Sequence, residues 1–157
     1  MAQCPRLALS FLVYASCAVL CTAHAEEKRI SRAQLPPAVR KIADEQAQGA
    51  TVRAYTTDVE NGQREYEVEM TLNGHSKDVT IATDGRLIEI EEQMAPDALP
   101  APVLYSLRRK AARADIVKVE SITKNGAIVA YEAQLRSSGK RLEIQVGPNG
   151  EDLTHEE

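Results

Sequence analysis

The chain has 157 residues, with 19 Lys and Arg against 23 Asp and Glu, a net charge of −4. That mild acidity argues against a general nucleic-acid binder, which needs clustered cations to displace counterions. With one Phe, no Trp and five Tyr, the core has to be aliphatic.

Residues 1–25 read as a signal peptide. Arg6 supplies the positive start, residues 7–20 form an uncharged apolar run, and Ala23-His24-Ala25 is a small-x-small cleavage site. The run is too short to span a bilayer comfortably. Cleavage after Ala25 removes Cys4, Cys17 and Cys21 together. No disulfide, thiol nucleophile or thiolate metal site is then expected. An exported domain without staples suits a bacterial periplasm, or secretion from it. A lipid anchor would need cleavage before Cys17 or Cys21, and neither has the usual Leu three positions ahead. The remaining 132 residues lose only Arg6 among the charges, so 18 cations face 23 acids, a net −5. No second long apolar run follows, so no integral membrane segment is expected after cleavage.

Residues 26–34 form a charged leader. Leu35-Pro36-Pro37 then opens a helix, since proline's missing N–H is unpaired anyway in a first turn. Val39, Ile42, Ala43 and Ala47 share one face at helical spacing, and Gly49 ends it. Residues 51–59 carry β-branched residues and Tyr55 and read as the first strand, ending at the Asn61-Gly62 turn. Beyond it Tyr66, Val68, Met70 and Leu72 alternate with Glu65, Glu67, Glu69 and Thr71, the pattern of a half-buried strand. Asn73-Gly74 is a hairpin signal, and Val79 and Ile81 resume the alternation. Asp84-Gly85 turns the chain again before Leu87, Ile88 and Ile90.

The pattern then recurs. Leu99-Pro100 and Asn125-Gly126 repeat Leu35-Pro36 and Asn61-Gly62 at an offset of 64. Tyr131-Glu132, Gly139 and Gly150 repeat Tyr66-Glu67, Gly74 and Gly85 at 65. The predicted class is α+β: two tandem repeats, each one helix followed by a four-stranded antiparallel meander. The units are residues 35–92 and 99–154, joined by a linker at 93–98 and followed by a tail at 155–157.

These residues resemble the PepSY-like family, the group related to β-lactamase-inhibitory proteins. The matches are Leu35-Pro36, Tyr66-Glu67-Val68, Asn73-Gly74 and Asp84-Gly85-Arg86-Leu87, with weaker copies in the second half, so that the likeness covers residues 35–153. The resemblance implies an exported bacterial protein of tandem α+β units that binds through a sheet surface. Those inhibitors dock with aromatics and carry disulfides, whereas the mature segment has only tyrosines and no cysteine. The likeness therefore implies the fold rather than β-lactamase inhibition.

Catalytic chemistry finds no foothold. After signal removal the histidines are His75, beside a hairpin turn, and His155, in the tail, a spacing that suits no zinc site. No Gly-x-Ser-x-Gly elbow or phosphate loop occurs. Glu65, Glu67 and Glu69 lie on the outward strand positions and are expected to stay ionised, whereas an acid–base pair needs one carboxyl kept neutral by burial. The expectation is a non-enzyme with no cofactor and no metal ligands.

Two surfaces remain as binding candidates. The outer sheet face carries Glu65, Glu67, Glu69, Glu89 and Glu91, with Glu132 and Gln134 as a milder second half. The second helix is basic on its wet side, through Arg108, Arg109, Lys110 and Arg113. Both are accounted for as ordinary solvated faces, the Glu row also guarding an open sheet. As a functional surface, the acidic face would meet a basic patch on a protein partner, an exported or envelope enzyme being one candidate. The sequence leaves two alternatives open, a small-ligand or cation sensor and a structural envelope component.

Overall fold

A computed structural model describes residues 27–153. The signal segment, its cleavage after Ala25, the three cysteines, and His155 with the tail 155–157 lie outside the described residues.

Eight strands form one antiparallel sheet in simple chain order: β1 (Lys28–Ile30), β2 (Thr51–Glu60), β3 (Gln63–Leu72), β4 (His75–Ala82), β5 (Leu87–Gln93), β6 (Asp115–Lys124), β7 (Ala127–Ser137) and β8 (Lys140–Val146). Helix α1 (Pro37–Gln46) lies between β1 and β2, and α2 (Ala101–Ala111) lies between β5 and β6. Both helices have proline at the N-cap and in the first turn, each after a short 3₁₀ turn, at Arg32–Gln34 and Pro96–Ala98. Each strand-to-strand turn at Asn61-Gly62, Asn73-Gly74, Asn125-Gly126 and Ser138-Gly139 has two residues at positive φ. That is the geometry matching the twist of a two-residue hairpin, and Asn-Gly adopts it at least cost.

Two apolar clusters lie on the helix-bearing face. α1 sets Leu35, Val39 and Ala43 against Tyr66, Val68, Met70, Val79 and Ile81. α2 sets Val103, Leu107 and Ala111 against Val119, Tyr131, Ala133, Leu135 and Val146. The alternation in β3 holds, with Tyr66, Val68 and Met70 on the core side.

The predicted pair of helix-plus-four-strand units is overturned. β5 hydrogen-bonds directly to β6, pairing Glu89 with Lys124 through Gln93 with Glu120, and Met94 N–H donates to the Val119 carbonyl at 2.9 Å. What reads as two units is therefore one continuous sheet. The reason is backbone accounting: an open β5 edge would leave a row of N–H and C=O groups unpaired, and β6 satisfies them. The second helix is also followed by three strands, not four. After Val146 comes Gly147-Pro148-Asn149-Gly150, where Gly147 N–H bonds the Glu151 carbonyl at 2.9 Å and closes a turn instead of a ladder.

Gly150 packs that turn under α2. Its φ is +80°, and a Cβ there would lie 2.5 Å from the Pro102 carbonyl oxygen. Gly126, at φ +77°, has nothing within 4 Å of the same position. Gly126→Ala should therefore cost about 1 kcal/mol for backbone conformation alone, and Gly150→Ala about 2 kcal/mol or more. Denaturant midpoints of the two variants check this, and equal losses would refute the close approach.

Candidate binding face

The face of the sheet opposite the helices is uncovered among the described residues, and the acidic positions converge on it. Strand alternation places Glu65, Glu67 and Glu69 of β3 there, because Tyr66, Val68 and Met70 point into the core. Register carries the row sideways. Glu67 faces Thr56 and Thr80, Glu69 faces Asp78, and Asp78 faces Glu91 in turn. Glu91 lies opposite Ile122 of β6, and Glu120 of β6 lies between Gln93 and Glu132. Glu89, Glu132 and Gln134 fall on the same side, the last between Lys118 and Glu143. All seven acidic-face positions named from sequence thus share one face.

Sequence reasoning missed two groups at its centre, Asp78 and Glu120. Glu120 is 1% exposed. Lys118 Nζ lies 2.6 Å from its Oε2, and Ser76 Oγ donates to its Oε1 at 3.0 Å. The available signal was Val119: once it points inward, Lys118 and Glu120 must share the outer side. Arg53, at a bulge in β2, reaches Asp78 at 3.3 Å and Glu69 at 3.9 Å. Lys124 reaches Glu89 at 3.1 Å.

Those cations leave a remainder. Among the described residues, no ion pair within 4.0 Å involves Glu67, Glu91 or Glu132. All three are half-buried. Burial, then the charges of Asp78, Glu27 and Glu69, pushes Glu67 up to about 7. Glu91 is pushed up to about 9, first by burial, then by its hydrogen bond to Glu89 and by the charges of Glu89, Glu132 and Glu120. Burial also raises Glu132, against a 3.0 Å hydrogen bond donated by Gln145 Nε2. Burial is the main cause for Asp78 and Glu65 as well. For Glu65 and Glu67 the expectation of a fully solvated, ionised row is therefore corrected. Neighbouring strands shield these side chains, so their charged forms are disfavoured.

The basic helix positions lie on the other side of the sheet. Arg108, Arg109 and Lys110 end α2, and Arg113 follows it. Lys110 and Arg109 lie 3.0 and 3.7 Å from Asp152, so the chain's own final segment neutralises part of this surface. His75 is exposed at the start of β4. Among the described residues no helix is long and apolar enough to cross a membrane.

No protein-family model matches the chain, and no curated protein sequence does. Solved structures do share its fold. A candidate periplasmic protein from Bacteroides eggerthii matches at 15% identity and a TM-score of 0.60, covering 74% of this chain and 84% of that one. A DUF2874 family protein from Bacteroides ovatus matches at 16% and 0.58, covering 76% and 85%. A BLIP-like protein from Bacteroides fragilis matches at 15% and 0.55, covering 75% and 83%. The chain has the fold of these BLIP-like and DUF2874 proteins, and at such identities the likeness is one of fold.

Proposed function

We propose that this chain is an exported, non-catalytic binding protein whose open sheet face receives basic side chains of a protein partner. One observation carries the reading: Glu67, Glu91 and Glu132 are half-buried carboxyls held beside other carboxyls, and among the described residues none has a cation within ion-pair distance. Such an arrangement costs folding free energy, and an incoming Lys or Arg would offset that cost. The raised carboxyls would suit acid–base chemistry on their own. The signal segment ending at Ala25 and the fold shared with a candidate periplasmic protein support export to the periplasm. The PepSY-like resemblance and the BLIP-like fold support binding through the sheet.

Association with a protein captured from an envelope fraction tests this. Replacing Glu67, Glu91 and Glu132 together by Gln should weaken it about tenfold or more without unfolding the chain, the loss shrinking as salt is raised. Reversing Arg108, Arg109 and Arg113 to Glu should leave it unchanged. If the helix reversal abolishes association while the sheet variant binds normally, the proposal fails.

Cation binding is a second reading. Asp78, Glu91 and Glu120 can bring carboxylate oxygens within 4.8 Å of one another. Glu120 is already engaged by Lys118 and Ser76, which ranks this reading below the first. Saturable calcium binding in calorimetry, abolished by Asp78→Asn, would reverse the ranking.

A further inference from the structure

β8 is the last strand of the sheet, paired with β7 on one side and with no strand on the other among the described residues. In the described segment after it, Asp152 is drawn to Lys110 and Arg109 on α2. Alternate residues of this seven-residue strand therefore direct backbone groups to an edge that no strand pairs among the described residues. Their side chains are also uncomfortable within the single chain. Arg141 lies directly opposite Arg136 of β7. The charge of Glu143 is one of those that raise Glu132. Leu142 is 51% exposed, although its cross-strand neighbour Leu135 is buried.

We propose that β8 pairs antiparallel with β8 of a second copy of this chain, in the register centred on Leu142, joining two sheets into one. A two-fold axis normal to the sheet sets each residue against the one equally far on the other side of the centre. Arg141 of each copy then faces Glu143 of the other, and Leu142 faces Leu142. Directly opposite side chains in an antiparallel pair are about 5 Å apart, within reach of an ion pair. No other two-fold register of this strand brings Arg141 to Glu143. Centring on Arg141 or on Glu143 sets like charge against like. Charged edges often serve to prevent pairing, through charges that repel an identical edge. Here the order Arg-Leu-Glu is self-complementary, and it gives Arg141 an opposite charge in place of the Arg136 it faces within the sheet. The same axis leaves both acidic faces on one side of the joined sheet. The pairing does not depend on what that face binds.

Sedimentation equilibrium of the exported chain tests the proposal. The wild type should show a monomer–dimer equilibrium that weakens with salt. Arg141→Glu and Glu143→Arg should each raise the dissociation constant about tenfold, since both reciprocal pairs become repulsive. The double variant Arg141→Glu/Glu143→Arg should restore it to within about threefold of wild type. Circular dichroism confirms that each variant is folded, which exposed edge substitutions permit. A wild type that stays monomeric to about 100 µM overturns the proposal. So does a dimer indifferent to Arg141→Glu, or a double variant that fails to recover.

Discussion

Thermal unfolding should occur at a higher temperature at pH 5 than at pH 8, by roughly 10 °C. The carboxyls of the open face set the sign. Glu67 and Glu91 have folded values of about 7 and about 9, above the ordinary 4.5. Between the unfolded and folded values the folded chain holds more protons than the unfolded one, so raising the pH favours unfolding. This stability is fully present below about pH 4.5 and is lost as pH rises toward 7 for Glu67 and 9 for Glu91. Glu65, Asp78 and Glu132 are raised too and act in the same direction. Asp44 beside Arg32 and Asp152 beside Lys110 are lowered and act oppositely, losing their contribution as pH falls below the ordinary aspartate value of 3.8. The maximum should therefore sit near pH 4, with a loss of about 3 kcal/mol between pH 5 and pH 8 after allowance for solvent screening at Glu67. Glu91→Gln keeps the shape of the side chain and removes its charge. It should raise the unfolding temperature at pH 8, change it little at pH 5, and flatten the profile between. A stability maximum at pH 7–8, or a Glu91→Gln profile as steep as wild type, would refute this account of the face.

Short-range chemistry was legible in the sequence. Asn-Gly turns, proline-led helices and the alternation of Tyr66, Val68 and Met70 are written in neighbouring residues, and the structure reproduces them. Non-local pairing was not legible. Nothing within residues 87–93 says whether β5 ends a unit or pairs onward, because the same aliphatic-acidic alternation suits an edge strand and an interior one. The join to β6 is decided by hydrogen-bond satisfaction across 29 residues, as between Glu92 and Ser121. The same gap hid the state of the carboxyls. Glu67 reads as wet because strand patterns reveal which face a side chain takes, not how closely adjacent strands crowd it. Val119 gives the side that Glu120 takes, but the contact of Glu120 with Ser76 joins residues 44 positions apart.

Replacing Lys118 by Met should cost about 3–5 kcal/mol at pH 8, the largest loss expected for a single polar position on this face. The cause is what remains behind. Glu120 is 1% exposed, and with Lys118 gone its carboxylate keeps, among the described residues, the Ser76 hydroxyl as partner. Removing the other member is gentler. In Glu120→Gln the amide oxygen can still accept from Ser76, and Lys118, with 22% of its side chain exposed, can turn its ammonium toward water. That variant should lose about 1 kcal/mol. Lys118→Met/Glu120→Leu removes both charges and fills the space with apolar atoms, so it should fold with about wild-type stability or slightly better. Measured as a closed cycle with Lys118→Met and a Glu120→Leu single variant, the two sites should show a coupling above about 2 kcal/mol at pH 8. The Lys118→Met loss should also shrink as the pH is lowered, since protonating the orphaned carboxyl removes the buried charge. Equal stabilities of Lys118→Met and the double variant would mean that the loss comes from packing at position 118 and not from the unpaired carboxylate. Glu120 is also one of the charges that raise Glu91. In the double variant Glu91 should therefore titrate lower than in wild type, a shift that carbon-13 NMR of the Glu91 carboxyl would read directly.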